Sequence, residues 1–208
     1  MKRIIYIRDI TCFPDNEYSL SRERKARCAL LENPYEKKKF ICADHFTSMI
    51  LEQEFNIKNP ELTGKAGKPL QVKGVPSIFI SRSYAGNAMV LSFSTESLMG
   101  TDCEYIMEAD FPVMNYFFTE EEREYVVRHQ NMDYAFTLLW TRKEACIKCT
   151  DKGLNYPFHL LNTVPEKENT LYGSCSGFSI RSYVKDKIVI SAASATDSDF
   201  PIITEYEV

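Results

Sequence analysis

The pattern of apolar and polar positions divides the chain into short strands and longer helices. Apolar residues recur at helical spacing over 35–55, which predicts a long helix that buries one face. Two alternating runs, 77–83 and 88–94, flank a Gly-Asn turn and predict a β-hairpin. The same kind of pattern predicts a second hairpin near the end of the chain, at 177–183 and 187–192.

Start and stop signals predict the other elements. Thr119 can cap a helix while Glu122 reaches back to the Thr119 backbone, which is a capping box. Gly153 is expected to close the helix predicted at 133–149 as its C-cap. The further predictions are a strand at 3–10, a helix at 19–32, a loop at 59–76, a strand at 98–105, helices at 119–130 and 133–149, and an edge strand at 202–207.

A weak internal repeat links the two hairpins. Phe79-Ile-Ser-Arg-Ser-Tyr84 resembles Phe178-Ser-Ile-Arg-Ser-Tyr183 at an offset of 99 residues. With the order of the elements, this predicts an α+β fold of two similar halves related by pseudo-twofold symmetry, a pseudo-dimer in one chain. Each half is expected to be helices packed on a small antiparallel sheet, with an N-terminal half over 1–97 and a C-terminal half over 98–208.

Composition and cysteine usage indicate a globular cytoplasmic protein. The chain has 208 residues, of which 44% are hydrophobic, and no apolar run approaches the length of a membrane span. The first residues, Met1 to Asp9, contain too short an apolar stretch for a secretory leader. The seven cysteines form no regular framework, and Cys146 and Cys149 are interpreted as packing residues because no second pair completes a zinc site.

Charge is distributed unevenly along the chain. Residues 1–97 carry a net charge of +4 and residues 98–208 a net charge of −8. This asymmetry suits an anionic ligand held with a cation between the halves, although chance scatter of solvated charges explains it equally well. A pI of about 5.5, without interleaved basic and aromatic residues, argues against nucleic-acid binding.

Two separated clusters of charged residues form a candidate site. Asp102 and Glu104 are two positions apart in a predicted strand, so both side chains lie on one face. Trp140, Glu144 and Lys148 follow one another at four-residue spacing and share a face of the predicted helix. If the clusters meet, their carboxylates supply the oxygen ligands that Mg²⁺ prefers. Separately, each pattern is also typical of an exposed acidic strand or a helical ion pair.

Together these clusters resemble the paired signature of the 4′-phosphopantetheinyl transferases, Gly-x-Asp-x-Glu followed by Trp-x-x-Lys-Glu-Ala-x-x-Lys. The matching segments here are Gly100-Thr-Asp102-Cys-Glu104 and Trp140-Thr-Arg-Lys143-Glu144-Ala145-Cys-Ile-Lys148. Phe118-Thr119-Glu-Glu-Glu122 is similar to the start of a helix in the family, and Gly67-Lys68-Pro69 to its Gly-Lys-Pro segment. The length and the two-half layout look like the monomeric, surfactin-synthetase-activating type.

The resemblance implies a reaction and its central residues. Members transfer the 4′-phosphopantetheine group of coenzyme A to a serine of an apo acyl or peptidyl carrier protein, and 3′,5′-ADP leaves. Asp102, Glu104 and Glu144 fall on the family's magnesium positions. Glu144 also falls on the position of the base, which acts directly or through water. Lys148 falls on the lysine that contacts the coenzyme A diphosphate, so Glu144 and Lys148 are the expected catalytic residues.

The resemblance also implies residues that bind coenzyme A. The expected set is Lys68, Ser81, Arg82, Lys143 and Lys148, with the nucleotide end of coenzyme A on the N-terminal half. Arg82 stands where the family has a histidine that contacts the 3′-phosphate, and an arginine can hold phosphate at any pH. The family's helix motif with two arginines appears here as Asp44-His45-Phe46-Thr47-Ser48-Met49, which lacks both.

Two alternatives to a transferase stay open from the sequence. A relative that has kept the fold but lost coenzyme A affinity would be a non-catalytic carrier-protein binding module. An unrelated metal-dependent phosphohydrolase would release phosphate without needing a carrier. The transferase interpretation implies Mg²⁺ and coenzyme A, a carrier protein as partner, and a cytoplasmic monomer without nucleic-acid or membrane partners.

Overall fold

The computed structural model describes residues 2–15, 20–64, 69–150, 156–166, 172–175, 177–195 and 203–206. Its helices are α1 Arg22–Ala29, α2 Pro34–Phe55, α3 Phe111–Phe117, α4 Glu120–Arg128 and α5 Met132–Lys148. Its strands are β1 Lys2–Ile7, β2 Leu62–Thr63, β3 Gln71–Val72, β4 Phe79–Ala85, β5 Ala88–Ser94, β6 Met99–Tyr105, β7 Tyr172–Cys175, β8 Phe178–Lys185, β9 Ile188–Ser194 and β10 Thr204–Glu205.

The first sheet has the strand order β10-β1-β5-β4. Strands β4 and β5 form the predicted hairpin, β1 pairs antiparallel with β5, and β10 adds to β1 in parallel. Apolar residues of β1, β4 and β5 bury against the inner face of α2, where Cys42, Phe46 and Leu51 are fully buried. This helix begins at the Asn33 cap and ends at Asn56, whose φ of 54° breaks the helical geometry.

The second sheet has the strand order β6-β9-β8-β7 and is antiparallel throughout. Strands β8 and β9 form the second predicted hairpin, and β6 pairs with β9 as β1 pairs with β5 in the first sheet. Helix α5 packs across β6 and β9. Ala145 and Cys146 of α5 lie with Ile180 and Ala193 of the sheet in one buried cluster.

The two sheets share a core. Ile4 and Val90 of the first sheet pack with Cys103 and Ile190 of the second, and all four side chains are at most 1% exposed. Strand β4 also lies beside β6, where the backbone N–H of Thr101 donates to the Ser81 hydroxyl at 2.9 Å. The predicted α+β class is therefore confirmed, and the arrangement is compatible with two similar halves. The symmetry axis and the division at residue 97 stay predictions.

Most predicted elements are present, and the ends of several differ. The first strand stops at Ile7 rather than Ile10, because Asp9 caps a short 3₁₀ turn by accepting hydrogen bonds from Thr11. The predicted Gly153 cap is wrong, because α5 ends at Lys148 with Cys149 as its C-cap, and Gly153 lies outside the described residues.

Several short elements were not predicted. They are helix α3, strand β7, and the β2–β3 ladder within the predicted loop 59–76. The helix has only two turns and the strands have two to four residues, and such segments carry little periodic pattern. In the part of the chain that the structure describes, no helix is long and apolar enough to span a lipid bilayer.

Candidate active site

Strand β6 carries the first pair of acidic residues to the boundary between the sheets. Asp102 is 4% exposed and Glu104 is half-buried. Thr101 and Cys103 point away from them: the Thr101 hydroxyl donates to the Ser191 carbonyl of β9, and Cys103 lies in the shared core. The predicted alternation along this strand therefore places both carboxylates on one face.

Gly100 sets the distance between this strand and α5. A Cβ atom at Gly100 would lie 2.0 Å from the Ala145 carbonyl oxygen and 2.9 Å from Lys148 Cβ. No side chain fits there without moving the helix backbone. The glycine therefore allows α5 to approach β6 closely enough for Lys148 to reach Asp102.

Asp102 lies at the centre of a cluster of three side chains. Its Oδ1 accepts hydrogen bonds from the Ser83 hydroxyl and from the Lys148 ammonium, each of 2.7 Å. The ammonium also donates to the Ser83 hydroxyl at 3.2 Å and to the Thr101 carbonyl at 3.1 Å. Ser83 belongs to β4, Asp102 to β6 and Lys148 to α5. The cluster is therefore built from both sheets, and the predicted meeting of the two charged stretches is observed.

Burial and the charge of Asp102 raise the pKa values of the neighbouring carboxyl groups of Glu104 and Glu144. Burial raises the pKa of Glu144, and the negative charge of Asp102 raises it further. The pKa of Glu104 is raised by burial first and then by Asp102 and Glu144. Burial alone would lower the pKa of the Lys148 ammonium, but Asp102 and Glu144 outweigh this and raise it. The three acids thus form one electrostatically coupled group that a cation would stabilise.

The donor chemistry of this group fits Mg²⁺, although the coordination sphere is not assembled. Asp102 Oδ2 is buried and has no hydrogen-bond partner among the described residues, which leaves an oxygen open for a ligand. Within the same residues, no three His, Cys, Asp or Glu side chains are grouped closely enough to hold a metal ion. The Lys148 ammonium supplies the positive charge next to Asp102 instead.

Arg82 lies in a second cluster of charges on the first sheet. One of its terminal nitrogens is 2.8 Å from Asp44 Oδ1, and another donates to Thr47 at 3.1 Å. Arg24 from α1 binds the same carboxylate with two hydrogen bonds of 2.6 and 2.8 Å. Asp44 therefore faces two guanidinium groups, and the cluster has an excess of positive charge.

The excess of positive charge also affects the pKa of Arg27. Burial lowers the pKa of Arg27, and the neighbouring Arg24 and Arg82 lower it further. The Phe40 ring packs below both α1 guanidinium groups, 4.2 Å from that of Arg24 and 5.7 Å from that of Arg27. An anion would relieve the repulsion among these cations.

Two other predicted binding residues have structural contacts. Lys143 is fully buried, and its ammonium is 2.7 Å from Glu122 and donates to the carbonyls of Phe158 and Leu161. The Ser81 hydroxyl accepts a backbone hydrogen bond from Thr101. These positions do not favour a direct contact of Lys143 with coenzyme A. Lys68 lies outside the described residues.

The sequence analysis missed Ser83, Arg24 and Arg27 as site residues. Serines and arginines are common on strands and helices, so neither type stands out without a structure. The signal for Ser83 was its position two residues after Ser81, on the same face of β4. Arg24 and Arg27 lie one helical turn apart on α1, which also places them on one face.

Comparisons with known proteins give the same family as the motifs. The model of the 4′-phosphopantetheinyl transferase superfamily matches residues 98–193. The chain is 22% identical over 192 residues to the 4′-phosphopantetheinyl transferase Sfp of Bacillus subtilis (strain 168), which covers 88% of this chain and 84% of Sfp. It is 32% identical over 92 residues to psf-1 of Bacillus pumilus, covering 43% of this chain and 39% of psf-1.

A further relative is the 4′-phosphopantetheinyl transferase ffp of Bacillus subtilis. It is 22% identical over 144 residues, which cover 66% of this chain and 63% of ffp. The family match spans β6, α5 and the second hairpin, which contain Asp102, Glu144 and Lys148. The family match covers just under half of this chain, and with the 22% identity to Sfp over most of both chains the protein is similar to the 4′-phosphopantetheinyl transferase superfamily of enzymes.

Proposed function

We propose that the protein transfers the 4′-phosphopantetheine group of coenzyme A to a serine of an apo acyl or peptidyl carrier protein. The products are the holo carrier protein and 3′,5′-ADP, and the reaction depends on Mg²⁺. The observation that carries this proposal is the cluster of Asp102 and Lys148, with Glu104 and Glu144 beside it, at the boundary of the two sheets.

Asp102, Glu104 and Glu144 are the residues that would hold the cation. When bound, Mg²⁺ neutralises negative charge on a diphosphate and helps to orient it for attack. The open oxygen of Asp102 and the raised pKa values of the two glutamates support this assignment. Both features express negative charge that the protein leaves incompletely compensated.

Glu144 and Lys148 have separate roles in the proposed reaction. Glu144 accepts the proton of the incoming serine hydroxyl, directly or through a water molecule, and its raised pKa makes its carboxylate a better base. The Lys148 ammonium stays protonated at neutral pH because its pKa is raised. It can therefore turn from Asp102 to an oxygen of the coenzyme A diphosphate.

The nucleotide end of coenzyme A would lie on the first sheet. The charge excess around Arg82, Arg24 and Arg27 suits the 3′-phosphate, since guanidinium groups bind phosphate oxygens with two hydrogen bonds. Asp44 holds Arg82 and Arg24 in place through an ion pair with each. Lys68 and Ser81 complete the proposed contacts, and the same division assigns the nucleotide to residues 1–97 and the chemistry to residues 98–208.

The proposed setting is a cytoplasmic monomer. The cysteines whose side chains are described form no disulfide among themselves; they are Cys12, Cys28, Cys42, Cys103, Cys146 and Cys149. Reduced thiols are typical of a reducing compartment. The shared core between the two sheets provides within one chain the interface that two subunits would otherwise form.

The test is to incubate the protein with coenzyme A, Mg²⁺ and a panel of apo acyl and peptidyl carrier proteins. Intact-protein mass spectrometry should detect a carrier whose mass has increased by one phosphopantetheine group, and 3′,5′-ADP should accumulate in equal amount. No modification of any carrier would contradict the proposal. Carrier binding without transfer, and without calorimetric heat from coenzyme A, would identify a non-catalytic binding protein instead.

A further inference from the structure

Ser83 extends from the first sheet to the cluster of Asp102 and Lys148. It lies on β4 and is 8% exposed, whereas the groups that it contacts belong to β6 and α5. The hydroxyl donates to Asp102 Oδ1 at 2.7 Å and accepts from the Lys148 ammonium at 3.2 Å. With the Lys148–Asp102 contact, these bonds close a ring of three hydrogen bonds in which each group is oriented by the other two.

The two carboxylate oxygens of Asp102 differ in their hydrogen bonding. Oδ1 receives both donors, whereas Oδ2 is buried and has no hydrogen-bond partner among the described residues. A buried acceptor without a partner is costly, so proteins rarely leave one unless a ligand completes it. Rotation of the carboxylate would give Oδ2 a partner, and the paired donors on Oδ1 oppose that rotation.

We propose that Ser83 is a positioning residue for the transfer reaction, which orients Asp102 so that Oδ2 stays open to a cation and holds Lys148 beside it. This inference rests on the proposed function and adds to it a residue of the first sheet. Groups that orient metal ligands in this way change metal affinity or activity by about 10–100-fold when they are removed. The effect is therefore expected in the dependence on Mg²⁺.

Ser182 provides a matched control within the same chain. It lies 99 residues later, at the corresponding position of the second hairpin, and is 4% exposed. Its hydroxyl is 2.9 Å from that of Ser191 and accepts from Arg142 at 3.2 Å. Ser182→Ala therefore removes the same buried hydroxyl from an equivalent strand without touching the Asp102 cluster.

The first measurement does not depend on activity. The thermal unfolding midpoint of wild type, Ser83→Ala, Ser83→Thr and Ser182→Ala is followed as a function of Mg²⁺ concentration. The Mg²⁺ concentration for half of the stabilisation should rise about 10–100-fold in Ser83→Ala. It should stay near the wild-type value in Ser83→Thr, which keeps the hydroxyl, and in Ser182→Ala.

The second measurement separates positioning from a general loss of stability. At saturating Mg²⁺, kcat of Ser83→Ala should return to within about threefold of wild type, while half-maximal transfer requires about 10–100-fold more Mg²⁺. A serine that only packs between the sheets would lower the unfolding midpoint and leave both Mg²⁺ titrations unchanged. If Ser83→Ala does not fold, Ser83→Cys removes the strong O–H donor at nearly the same volume, and the same shift is expected.

The outcomes distinguish this inference from the proposed function. If wild type modifies no carrier but its unfolding midpoint responds to Mg²⁺, the proposed function fails and the Mg²⁺ titration of Ser83→Ala still decides the role of Ser83. A titration of Ser83→Ala, or of Ser83→Cys, that overlaps that of Ser182→Ala would overturn the inference. So would a wild-type unfolding midpoint that does not respond to Mg²⁺.

Discussion

Lys143 and Lys148 lie on the same helix, five positions apart in one motif, and have opposite environments. Lys148 reaches the boundary of the sheets, where its side chain is 31% exposed and pairs with Asp102. Lys143 is fully buried and pairs with Glu122, the residue that also caps α4. Of the two, the position of Lys148 is the one suited to a ligand, and Lys143 connects α5 to α4 and to the chain around Leu161.

Replacing Lys143 with methionine should therefore destabilise the protein rather than weaken ligand binding. The change leaves the Glu122 carboxylate buried without its cation, which costs about 3–5 kcal/mol. Urea denaturation measures the loss. Adding Glu122→Gln to Lys143→Met should recover part of it, because the buried charge is then gone. A Lys143→Met protein of normal stability that has lost coenzyme A affinity would support a binding role instead.

Glu144 should be essential for transfer and dispensable for folding. Glu144→Gln removes the proposed base and a proposed ligand, and removal of a general base alone costs about 10²–10⁴ in rate. The measured quantity is kcat/KM from the mass of the carrier protein, with circular dichroism to monitor the fold. Glu124→Gln, on the exposed side of α4, is the matched control. Unchanged turnover of Glu144→Gln would exclude Glu144 from the mechanism.

At the scale of elements, the site depends on how closely α5 approaches β6. Strand β6 supplies the carboxylates of Asp102 and Glu104, and helix α5 supplies Glu144 and Lys148. Gly100 makes the close contact between them possible. The Trp140 ring lies on the same helix and packs near Phe117 and Phe158, with ring centroids 5.8 and 6.2 Å away. This agrees with a packing role for Trp140, which joins α5 to α3 and to the chain at Phe158.

Gly100→Ala should disrupt this contact. The new methyl would overlap the Ala145 carbonyl, so helix and strand must separate, and overpacking of this kind costs about 1–3 kcal/mol or more. Transfer should fall further than stability does, because Lys148 and Glu144 move with α5. Gly177→Ala is the control: its Cβ meets no atom within 4 Å, so only its φ of 86° opposes the change, at about 1–2 kcal/mol. Equal effects on transfer would contradict this account.

At the scale of the molecule, the packing of the two sheets into one unit leaves most of the described cysteine side chains buried. Of the six cysteines whose side chains are described, all except Cys12 are buried. Burial raises the pKa of Cys149 to about 12 and also raises that of Cys42. Since the thiolate is the reactive form, these thiols should be unreactive at neutral and mildly alkaline pH.

Alkylation of the native protein at pH 8 should therefore modify Cys12 long before Cys42 or Cys149. Site-resolved mass spectrometry after short exposure to iodoacetamide measures the order. In urea, Cys42 and Cys149 should react about as fast as Cys12, because unfolding removes the burial that raises their pKa values. Rapid modification of Cys149 in the folded protein would indicate that α5 opens away from the second sheet.

The sequence predicted the elements that carry a strong local pattern. Periodicity and caps predicted α2, α4, α5 and both hairpins, because these signals are local and belong to long or strongly patterned segments. The resemblance to the family's paired signature grouped Asp102, Glu104, Glu144 and Lys148, since each pattern alone is also typical of an exposed acidic strand or a helical ion pair. Short segments such as α3 and β10 were missed or mis-bounded, because packing rather than local pattern decides where they end.

The tertiary structure alone decided how the charges are paired. Helical spacing places Lys148 on the face of Glu144, but only the fold shows that burial beside Glu122 makes Lys143 structural, while Lys148 stays partly exposed beside Asp102. Ser83 and Arg24 came to the two charged clusters from distant parts of the chain. Electrostatic interactions depend on distance and on exclusion of water, and both are set only when the two sheets pack together.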